Sequence, residues 1–380
     1  MHFSAFETIL IILVSFYCLT IVGLILGLLR LRPGSSREAP FVSVIVAARN
    51  EENNIDSLLT AITEQTYTNY EIVIANDRSE DGTRALIESW QRKDRRIVLV
   101  NINNLSRDMP AKKNALTAAI SASRGEILCF TDADCQPPRT WLSELVRHFE
   151  PEVGMVAGYS PYRHSQNTTR DGFLAEVLFR FIQFEEFKGS LWAAGAVGLR
   201  FGWLCTGRNL AYRREVFDEV GGFEKIKMSI SGDDDLFMQL VRRETHWQIS
   251  YATSPESHVP TVAPRSFREF LEQRKRHFSA AKYFTPSMKV FFFLFHLSNL
   301  ILLTSFLYWL AIPRLTEVIL WAFVAKTTAD ASLLLAGGRV LRESNMNPSF
   351  LLLEILYVFY NTFIGPLGLI RKFEWKTQPK

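Results

Sequence analysis

Two aspartates in the segment GEILCFTDADC are the first residues in this sequence whose type and spacing suggest chemistry. The apolar run Ile127–Phe130 ends just before Asp132 and Asp134, and Cys129 and Cys135 flank the pair. Three interpretations are open: a metal site, a disulfide, or only the solvated end of a strand. Mg²⁺ is usually bound in proteins by one or two carboxylates together with substrate phosphates. The Asp-x-Asp pair therefore favours a divalent cation that carries a phosphorylated ligand, with Asp134 on the metal and Asp132 on the ribose or in the metal shell.

A second acidic group lies in the segment GDDDL, at residues 232–236, where Asp233 and Asp234 begin a row of three aspartates. Three adjacent carboxylates disfavour simultaneous ionisation, so at least one pKa is expected to rise, which suits a general base near neutral pH. The alternative is structural, because acidic residues before LFMQLVRR stabilise the N-terminus of a helix. The two roles are compatible.

Composition limits the classes of function. The chain has 380 residues, of which 48% are hydrophobic, and a formal net charge of +4. Such a mild charge gives no support for a nucleic-acid partner. The four cysteines are widely spread and form no Cys-x-x-Cys pair, which favours a reducing compartment without a disulfide framework. Thiolates are also soft ligands, poorly matched to the hard cation that aspartates prefer.

The elements that must position these residues follow from the hydrophobic pattern after residue 40. Short runs rich in Val and Ile alternate with helical stretches, and the strand candidates are VSVIVAA, EIVIAN, RIVLVN and EILCFTD. Strands that are apolar on both faces and alternate with helices predict an α/β fold, with a mostly parallel sheet covered on both sides. Such sheets bind ligands at the carboxyl ends of the strands, where ARNEE, NDRSEDGT and TDADC lie.

Phosphate-binding loops are missing from the sequence. No GxGxxG or GxxxxGK[ST] pattern follows a strand candidate, which excludes a dinucleotide fingerprint and a P-loop. Carboxylates repel phosphates, so a site built from aspartates needs a divalent cation to hold a phosphorylated ligand. A haloacid-dehalogenase-type phosphatase also places Asp-x-Asp after a strand, but Gln136 stands where that chemistry requires Thr or Val.

Apolar segments at both ends of the chain predict membrane helices. Residues 5–29 and 290–312 are long enough to span a bilayer, residues 349–370 form an interrupted third span, and residues 317–336 form a weaker one. In the weaker span, Lys326 and Asp330 are four residues apart and could pair on one helix face. The expected domains are an anchor at 1–38, a catalytic domain at 39–262, an interfacial region at 263–288 and a membrane domain at 289–380.

Basic residues near the span ends predict the orientation. Arg30, Arg32 and Arg37 follow the first span, and Arg276 and Lys289 lie before the second. The positive-inside rule then places the middle of the chain in the cytoplasm, in an integral membrane protein of the plasma (bacterial inner) membrane. The basic tail RKFEWKTQPK should also be inside, which four full spans from an outside N-terminus would not allow.

Seven segments follow one another in an order that resembles a known family. They are VSVIVAARNEENNI, IANDRSEDGT, AKKNAL, GEILCFTDADCQPPRTWL, CTGRNLAYRREVFDEVGGF, GDDDL and QRKRH. Together they resemble the family 2 glycosyltransferases with the GT-A fold, and most of all the membrane-embedded branch that includes cellulose, chitin, hyaluronan and poly-N-acetylglucosamine synthases. The resemblance implies a mixed, mostly parallel sheet with helices on both faces, plus transmembrane helices.

The resemblance also implies roles for single residues of the donor site. It places Asp132 and Asp134 on Mg²⁺ or Mn²⁺, and the nucleotide contacts on Arg49, Glu51, Asp77 and Lys112. In the family Asp77 would face a uracil base. The sequence departs from the pattern at Asn76, which replaces an Asp but can still form hydrogen bonds.

Two further motifs resemble the catalytic and acceptor elements of the family. In GDDDL, Asp233 takes the position of the catalytic base, with Asp234 as the alternative if the loop shifts by one residue, and Gly232 replaces a Glu. QRKRH matches Gln-x-x-Arg-Trp through Gln273 and Arg276, with His277 in place of Trp. The resemblance implies that Arg276 contacts the diphosphate and that His277 supports the acceptor. The alternative interpretation is that this basic stretch only anchors the protein at the membrane surface.

The sequence thus predicts an inverting glycosyltransferase that moves a sugar from a nucleotide-sugar, most simply a UDP-sugar, to a lipid or glycan acceptor at the membrane. Two rivals stay open. One is a processive polysaccharide synthase of the same family, whose channel would need more spans, a second copy or a partner subunit. The other is a catalytically silent sugar-nucleotide-binding membrane protein, supported only by the departures at Gly232 and His277.

Overall fold

A mixed sheet forms the centre of the fold. The computed structural model describes residues 3–104, 106, 108–164, 172–264, 266–311, 317–343 and 349–364. Its strands are β1 (Val42–Ala48), β2 (Tyr70–Asp77), β3 (Ile97–Ile102), β4 (Ile127–Phe130), β5 (Val153–Gly158), β6 (Tyr162–Arg163), β7 (Leu210–Arg213), β8 (Gln248–Ala252) and β9 (Thr261–Val262). Seven of them form one sheet in the order β3-β2-β1-β4-β7-β5-β8, and β6 pairs with β9.

Strand direction decides where the polar ends of the strands meet. β1 pairs in parallel with β2 and β4, β2 pairs in parallel with β3, and β7 runs antiparallel to its neighbours β4 and β5. In the β1–β2 register Ala48 lies opposite Asn76. The carboxyl ends of β1, β2 and β4 therefore lie at one edge of the sheet, as the sequence pattern predicted.

Burial explains why these runs form strands. Every residue of β2 and β4 is buried, which is typical of parallel strands covered on both faces. On one face, Ile55, Leu58 and Ile62 share a core with Val44 and Ile72 of the sheet. The spacing of those three residues turns one apolar stripe of a helix towards the sheet.

Twelve α-helices accompany the strands within the described ranges. They are α1 (Ala5–Arg30), α2 (Ile55–Thr63), α3 (Thr83–Lys93), α4 (Ala111–Ala122), α5 (Trp141–Val146), α6 (Phe173–Gly198), α7 (Arg214–Val220), α8 (Asp235–Glu244), α9 (Phe267–Ser279), α10 (Pro286–Ala311), α11 (Glu317–Val340) and α12 (Phe350–Phe363). The helix α6, between β6 and β7, was not predicted from the sequence.

The chain divides into two compact units. One contains the sheet and its helices, within residues 30–164 and 192–263. The other contains α1, α6 as far as Leu191, and the helices from α9 onwards. The predicted catalytic domain at 39–262 includes all of α6, and its bounds remain a prediction.

Among the described residues, three helices are long and apolar enough to cross a membrane: α1, α10 over Pro286–Trp309, and α11. The segment predicted as the weaker span is therefore a full-length apolar helix. The predicted span at 349–370 is represented by α12, which is shorter, with 14 residues. The remainder of that span and the basic tail lie outside the described residues.

A buried cluster of four charges explains why α6 groups with the apolar helices. Lys188 of α6 lies 2.9 Å from Asp330 of α11 and 2.9 Å from Glu354 of α12. Lys326 lies 2.9 Å from Asp330, which is the predicted pair on one helix face, and also contacts Glu354. Tyr17 of α1 donates a hydrogen bond of 2.8 Å to Asp330. The two lysines and two carboxylates balance each other, so each buried charge has a counter-charge.

Removal of one member of this cluster should destabilise the protein more than removal of an opposite pair. We expect Lys188→Met to lower the free energy of unfolding by about 3–5 kcal/mol, because it leaves a buried carboxylate without its counter-charge. The double variant Lys188→Met/Glu354→Gln restores neutrality and should lose less than Lys188→Met alone. The measurement is denaturant unfolding in detergent micelles.

A matched control lies on the same helix. Arg180 forms an exposed ion pair with Glu176 at 2.6 Å, so Arg180→Met should cost less than about 1 kcal/mol. If the double variant were as unstable as the sum of its two single variants, the four charges would not act as a unit.

Candidate active site

The loops after β1 and β2 are joined by hydrogen bonds at the carboxyl edge of the sheet. The Asn50 backbone N–H donates to Ser79 Oγ at 3.0 Å, and the Glu80 N–H donates to Asn50 Oδ1 at 2.9 Å. The Gly82 N–H donates to Glu52 Oε2 at 2.8 Å. The predicted nucleotide-binding segments ARNEE and NDRSEDGT are therefore one hydrogen-bonded unit. Arg49 and Glu51 lie in the first of them.

Asp77 ends β2 within this edge. Its carboxylate accepts two hydrogen bonds from the neighbouring Arg78, at 2.8 and 3.1 Å, and is buried. Asn76 donates to Asn101 Oδ1 at 3.0 Å, while its own Oδ1 is buried and has no hydrogen-bond partner among the described residues. A buried acceptor without a donor costs free energy unless a ligand or water supplies one. The position beside Asp77 therefore favours a ligand that donates a hydrogen bond.

Lys112 brings together the two acidic motifs. Its ammonium lies 3.2 Å from Asp132 Oδ1 and 3.1 Å from Asp233 Oδ2. The helix α4 positions this lysine, the end of β4 positions Asp132, and the loop before α8 positions Asp233. These three residues also line one small cavity, together with Thr131 and Tyr212. The two carboxylates predicted to bind the donor and to take a proton therefore share one counter-ion.

The three aspartates of GDDDL have different partners. Asp234 is the N-cap of α8 and accepts backbone N–H bonds on both oxygens, from Asp235 at 2.8 Å and from Gly207 at 2.9 Å. Asp235 accepts from the Leu236 N–H at 2.7 Å. The structural role proposed for this segment thus falls on Asp234 and Asp235, and Asp233 is the aspartate of the three that meets Lys112 at the cavity.

Charge sets the order of the pKa values in this segment. Burial raises the pKa of Asp233, but the positive charges of Lys112 and Lys113 outweigh it, so the pKa is lowered. Burial and the neighbouring Asp233 charge raise the pKa of Asp234, and burial with the Asp234 charge raises that of Asp235. The expected rise in pKa occurs at Asp234 and Asp235, but not at Asp233, the residue expected to act as the base. Asp233 is instead ionised at neutral pH.

Burial and the neighbouring charges also act in opposite directions on the pKa of Lys112. Burial alone would lower the pKa of this lysine, but the charges of Asp132, Asp233 and Asp234 raise it above its usual range. Lys112 therefore stays protonated at any physiological pH. Its fixed positive charge is available to a diphosphate as well as to the aspartates.

The side chain of Asp134 is exposed, and two negatively charged neighbours act on its carboxylate. Surrounding protein desolvates its carboxylate, and the charges of Asp132 and Glu51 repel it, so its pKa is raised, with Arg208 as the opposing positive charge. The buried thiol of Cys135 donates to Asp134 Oδ1 at 3.6 Å and is not in a disulfide. A cation at this position would relieve the repulsion between the carboxylates.

The predicted acceptor motif lies on α9, in the other compact unit. Arg276 is half-buried and His277 is exposed, while Gln273 is half-buried on the same helix. The neighbouring Arg274 is buried and contacts Glu185 and Glu186 of α6. The roles of Gln273, Arg276 and His277 remain predictions.

Comparison with known proteins gives the family of the sheet-containing unit. Residues 43–221 match the model of "Glycosyl transferase family 2". These residues include β1, β2, β4 and the Asp-x-Asp pair. Residues 43–221 are a family 2 glycosyltransferase domain.

Named relatives match parts of the chain. Glycosyltransferase AglE of Haloferax volcanii is 33% identical over 109 residues, which are 28% of this chain and 34% of the relative. A β-monoglucosyldiacylglycerol synthase of Trichormus variabilis is 30% identical over 206 residues, which are 53% of this chain and 41% of the relative. The matched region thus spans less than two-thirds of these relatives' own length.

A solved structure with the same architecture extends over nearly the whole chain. The mannosyltransferase PcManGT from Pyrobaculum calidifontis, in complex with GDP-Man and Mn²⁺, has a TM-score of 0.54 and 18% sequence identity, and the match covers 96% of both chains. At this identity the likeness shows the fold alone. The predicted α/β fold of the GT-A type is confirmed. The cellulose, chitin and hyaluronan synthase branch remains a prediction.

The side chains of the Asp-x-Asp pair are suitable ligands for a hard divalent cation. Asp132 and Asp134 offer carboxylate oxygens, which suit Mg²⁺ and Mn²⁺. Within the described residues, no group of three or more His, Cys, Asp or Glu side chains is arranged to bind a metal. Two carboxylates alone leave most coordination positions open, which is the pattern expected when diphosphate oxygens and water complete the shell.

Three residues near the proposed site were not predicted as parts of it. The positive charge of Arg208 acts to lower the pKa of Asp134. In the sequence, the only sign of this residue was its place in the motif CTGRNL. Lys113 is fully buried beside the predicted nucleotide lysine. Gly232 appeared as a departure from the family pattern, but its φ of +83° gives it a backbone role.

Gly232 should not tolerate a side chain. Its φ is in the left-handed region, and an added Cβ would lie 2.6 Å from Leu236 Cδ1 and 3.1 Å from Asp235 Oδ1. We expect Gly232→Ala to lower the free energy of unfolding by about 1–3 kcal/mol because of backbone strain and this contact. Gly189→Ala, at a helical position with nothing within 4 Å, is the control and should not destabilise. Equal stability of the two variants in denaturant unfolding would remove the backbone explanation for Gly232.

Proposed function

We propose that the protein is a membrane-bound, inverting glycosyltransferase that moves a sugar from a nucleotide-sugar to a lipid or short glycan acceptor. The observation that carries this proposal is the position of Lys112, a residue of the family 2 domain, between Asp132 and Asp233. One aspartate belongs to the expected donor site and the other to the expected catalytic loop. Their shared counter-ion supports donor chemistry and proton transfer in one cavity.

The donor is proposed to bind across the carboxyl ends of β1, β2 and β4. Asp77 and the open acceptor of Asn76 would contact the base, with Arg49 and Glu51 near the nucleoside, while Lys112 would contact the diphosphate. The resemblance favours a UDP-sugar, whereas the structural relative from Pyrobaculum calidifontis holds GDP-Man. A donor panel must therefore include both nucleotides.

A divalent cation bound by Asp134 and Asp132, Mg²⁺ or Mn²⁺, would neutralise diphosphate charge and stabilise the departing nucleotide. The protein's own residues perform the proton transfer. Asp233 is ionised and takes the proton from an acceptor hydroxyl, and the resulting oxygen attacks the anomeric carbon from the face opposite the nucleotide. As Lys112 turns towards the diphosphate, Asp233 loses its counter-charge, its pKa rises, and it becomes a stronger base.

The acceptor is proposed to be a lipid at the membrane. Three helices in the described part of the chain are long and apolar enough to cross a bilayer, and α9 is the basic, amphipathic helix that precedes α10. One relative is named a β-monoglucosyldiacylglycerol synthase, which supports a lipid acceptor. Arg276 and His277 would act on the diphosphate and the acceptor. The basic residues beside the apolar helices support a cytoplasmic catalytic domain in the plasma membrane.

Replacement of the proposed base should abolish turnover without loss of folding. We expect Asp233→Asn to lower kcat by about 10²–10⁴-fold, because the amide cannot accept the proton. Asp234→Asn leaves one oxygen for the N–H groups of Gly207 and Asp235 and should act mainly on stability, by about 1 kcal/mol. The measurement is nucleotide release from a panel of UDP- and GDP-sugars in membranes, together with unfolding. Turnover by Asp233→Asn at the wild-type rate would reject Asp233 as the base.

Loss of the proposed metal ligand should uncouple nucleotide binding from divalent ions. We expect Asp134→Asn to weaken Mn²⁺-dependent nucleotide binding by about 10–100-fold, measured by calorimetry with Mn²⁺ and with EDTA. Asp56→Asn, at an exposed position on α2, is the matched control and should bind as the wild type does. Nucleotide affinity that is the same in Mn²⁺ and in EDTA for the wild type would contradict the metal role.

Product size separates the proposed transfer from its processive rival. A single transfer to lipid gives one labelled glycolipid, whereas a synthase gives a long, lipid-free polymer from the same radiolabelled donor. The silent alternative has lost part of its support, because the positive φ of Gly232 explains that departure without loss of catalysis.

A further inference from the structure

A buried lysine next to the nucleotide lysine has no assigned role in the proposed reaction. Lys113 follows Lys112 on α4 and is 0% exposed. Lysine is almost never fully buried unless its ammonium is paired. Here the partners are two backbone carbonyls of the segment that precedes Asp233.

The contacts of Lys113 reach far along the chain. Its Nζ donates to the carbonyl of Ser229 at 2.5 Å and to the carbonyl of Ser231 at 2.8 Å. These carbonyls lie 116 and 118 residues further on in the sequence. Charge-assisted hydrogen bonds of this kind are about twice as strong as neutral ones. Lys113 of α4 therefore holds the backbone on the N-terminal side of Gly232.

The other side of the same loop is fixed by different groups. Asp234 accepts the Gly207 N–H at 2.9 Å and caps α8, and Gly232 makes the left-handed turn in between. Asp233 thus lies between two backbone anchors, and its carboxylate meets Lys112 at 3.1 Å. The two neighbouring lysines have different partners: Lys112 contacts the carboxylate of Asp233, and Lys113 contacts the main chain that precedes it.

We infer that Lys113 is a positioning residue for the acidic loop: by binding the carbonyls of Ser229 and Ser231, it sets the place from which Asp233 takes the acceptor proton. Lys113 touches neither the donor nor the acceptor in this scheme. Its removal should therefore change kcat and leave donor affinity nearly unchanged. This inference rests on the proposed function of Asp233.

The test compares Lys113→Met with Lys113→Arg in the full-length protein in detergent. Displacement of a catalytic group by about 1 Å can cost about 100-fold in rate, so we expect kcat of Lys113→Met to fall by about that factor. KM for the donor should stay within about threefold of the wild-type value, which is small beside the expected fall in kcat. Lys113→Arg keeps the charge and the donors and should recover part of kcat. Lys93→Met, at an exposed lysine on α3, is the matched control with unchanged activity.

A second readout does not depend on activity. Hydrogen–deuterium exchange of the peptide covering residues 227–235 should increase in Lys113→Met, while exchange in β1 and β2 stays at the wild-type level. If Lys113→Met unfolds, with faster exchange throughout the sheet, the same two measurements are made on Lys113→Gln, which retains a polar side chain at the buried position.

The outcomes separate this inference from the function on which it rests. A folded variant without Lys113 that keeps the wild-type kcat, or that loses kcat with no change in exchange at residues 227–235, overturns the inference. A wild-type protein that releases no nucleotide from any donor overturns the proposed function, whereas faster loop exchange in Lys113→Met would still show that Lys113 anchors the loop. A lower kcat with faster loop exchange and partial recovery by Lys113→Arg supports both.

Discussion

The ammonium group of Lys112 is the interaction on which the proposed site depends. It lies between Asp132 and Asp233, at 3.2 and 3.1 Å, and without it two buried or half-buried carboxylates would face each other unscreened. One ammonium between two carboxylates leaves a net negative charge among these three side chains. In the proposed function, a divalent cation accompanies the nucleotide diphosphate to this site. The net negative charge of the two carboxylates and the lysine supports that proposal.

Hydrogen bonds to the backbone hold the acidic loop, residues 229–235, whose catalytic role is proposed above. Lys113 binds its carbonyls, Gly232 supplies its left-handed turn, and the carboxylate of Asp234 accepts the N–H groups of Gly207 and Asp235. Three adjacent aspartates can be accommodated because they face different partners. Two of them are used by the main chain of the protein, which leaves the third for chemistry.

The sequence predicted the elements whose pattern is local. Runs rich in Val and Ile marked β1 to β4, and the Asp-x-Asp pair at the end of β4 indicated the site. Lys326 and Asp330 were predicted to pair because they are four residues apart on one helix. The partners of Lys188 could not be predicted in this way, since Glu354 is 166 residues away. Likewise the burial of Lys113 could not be predicted, because nothing near it in the sequence shows the carbonyls that it binds.

The buried cluster on α6, α11 and α12 also has a consequence for biosynthesis. The chain is made from its N-terminus, so Lys188 and Lys326 are both synthesised before Glu354. Until α12 is complete, two buried lysines share the single carboxylate of Asp330. An excess positive charge inside an apolar helix group is unfavourable. The cluster therefore becomes electrically balanced only after α12 has been synthesised.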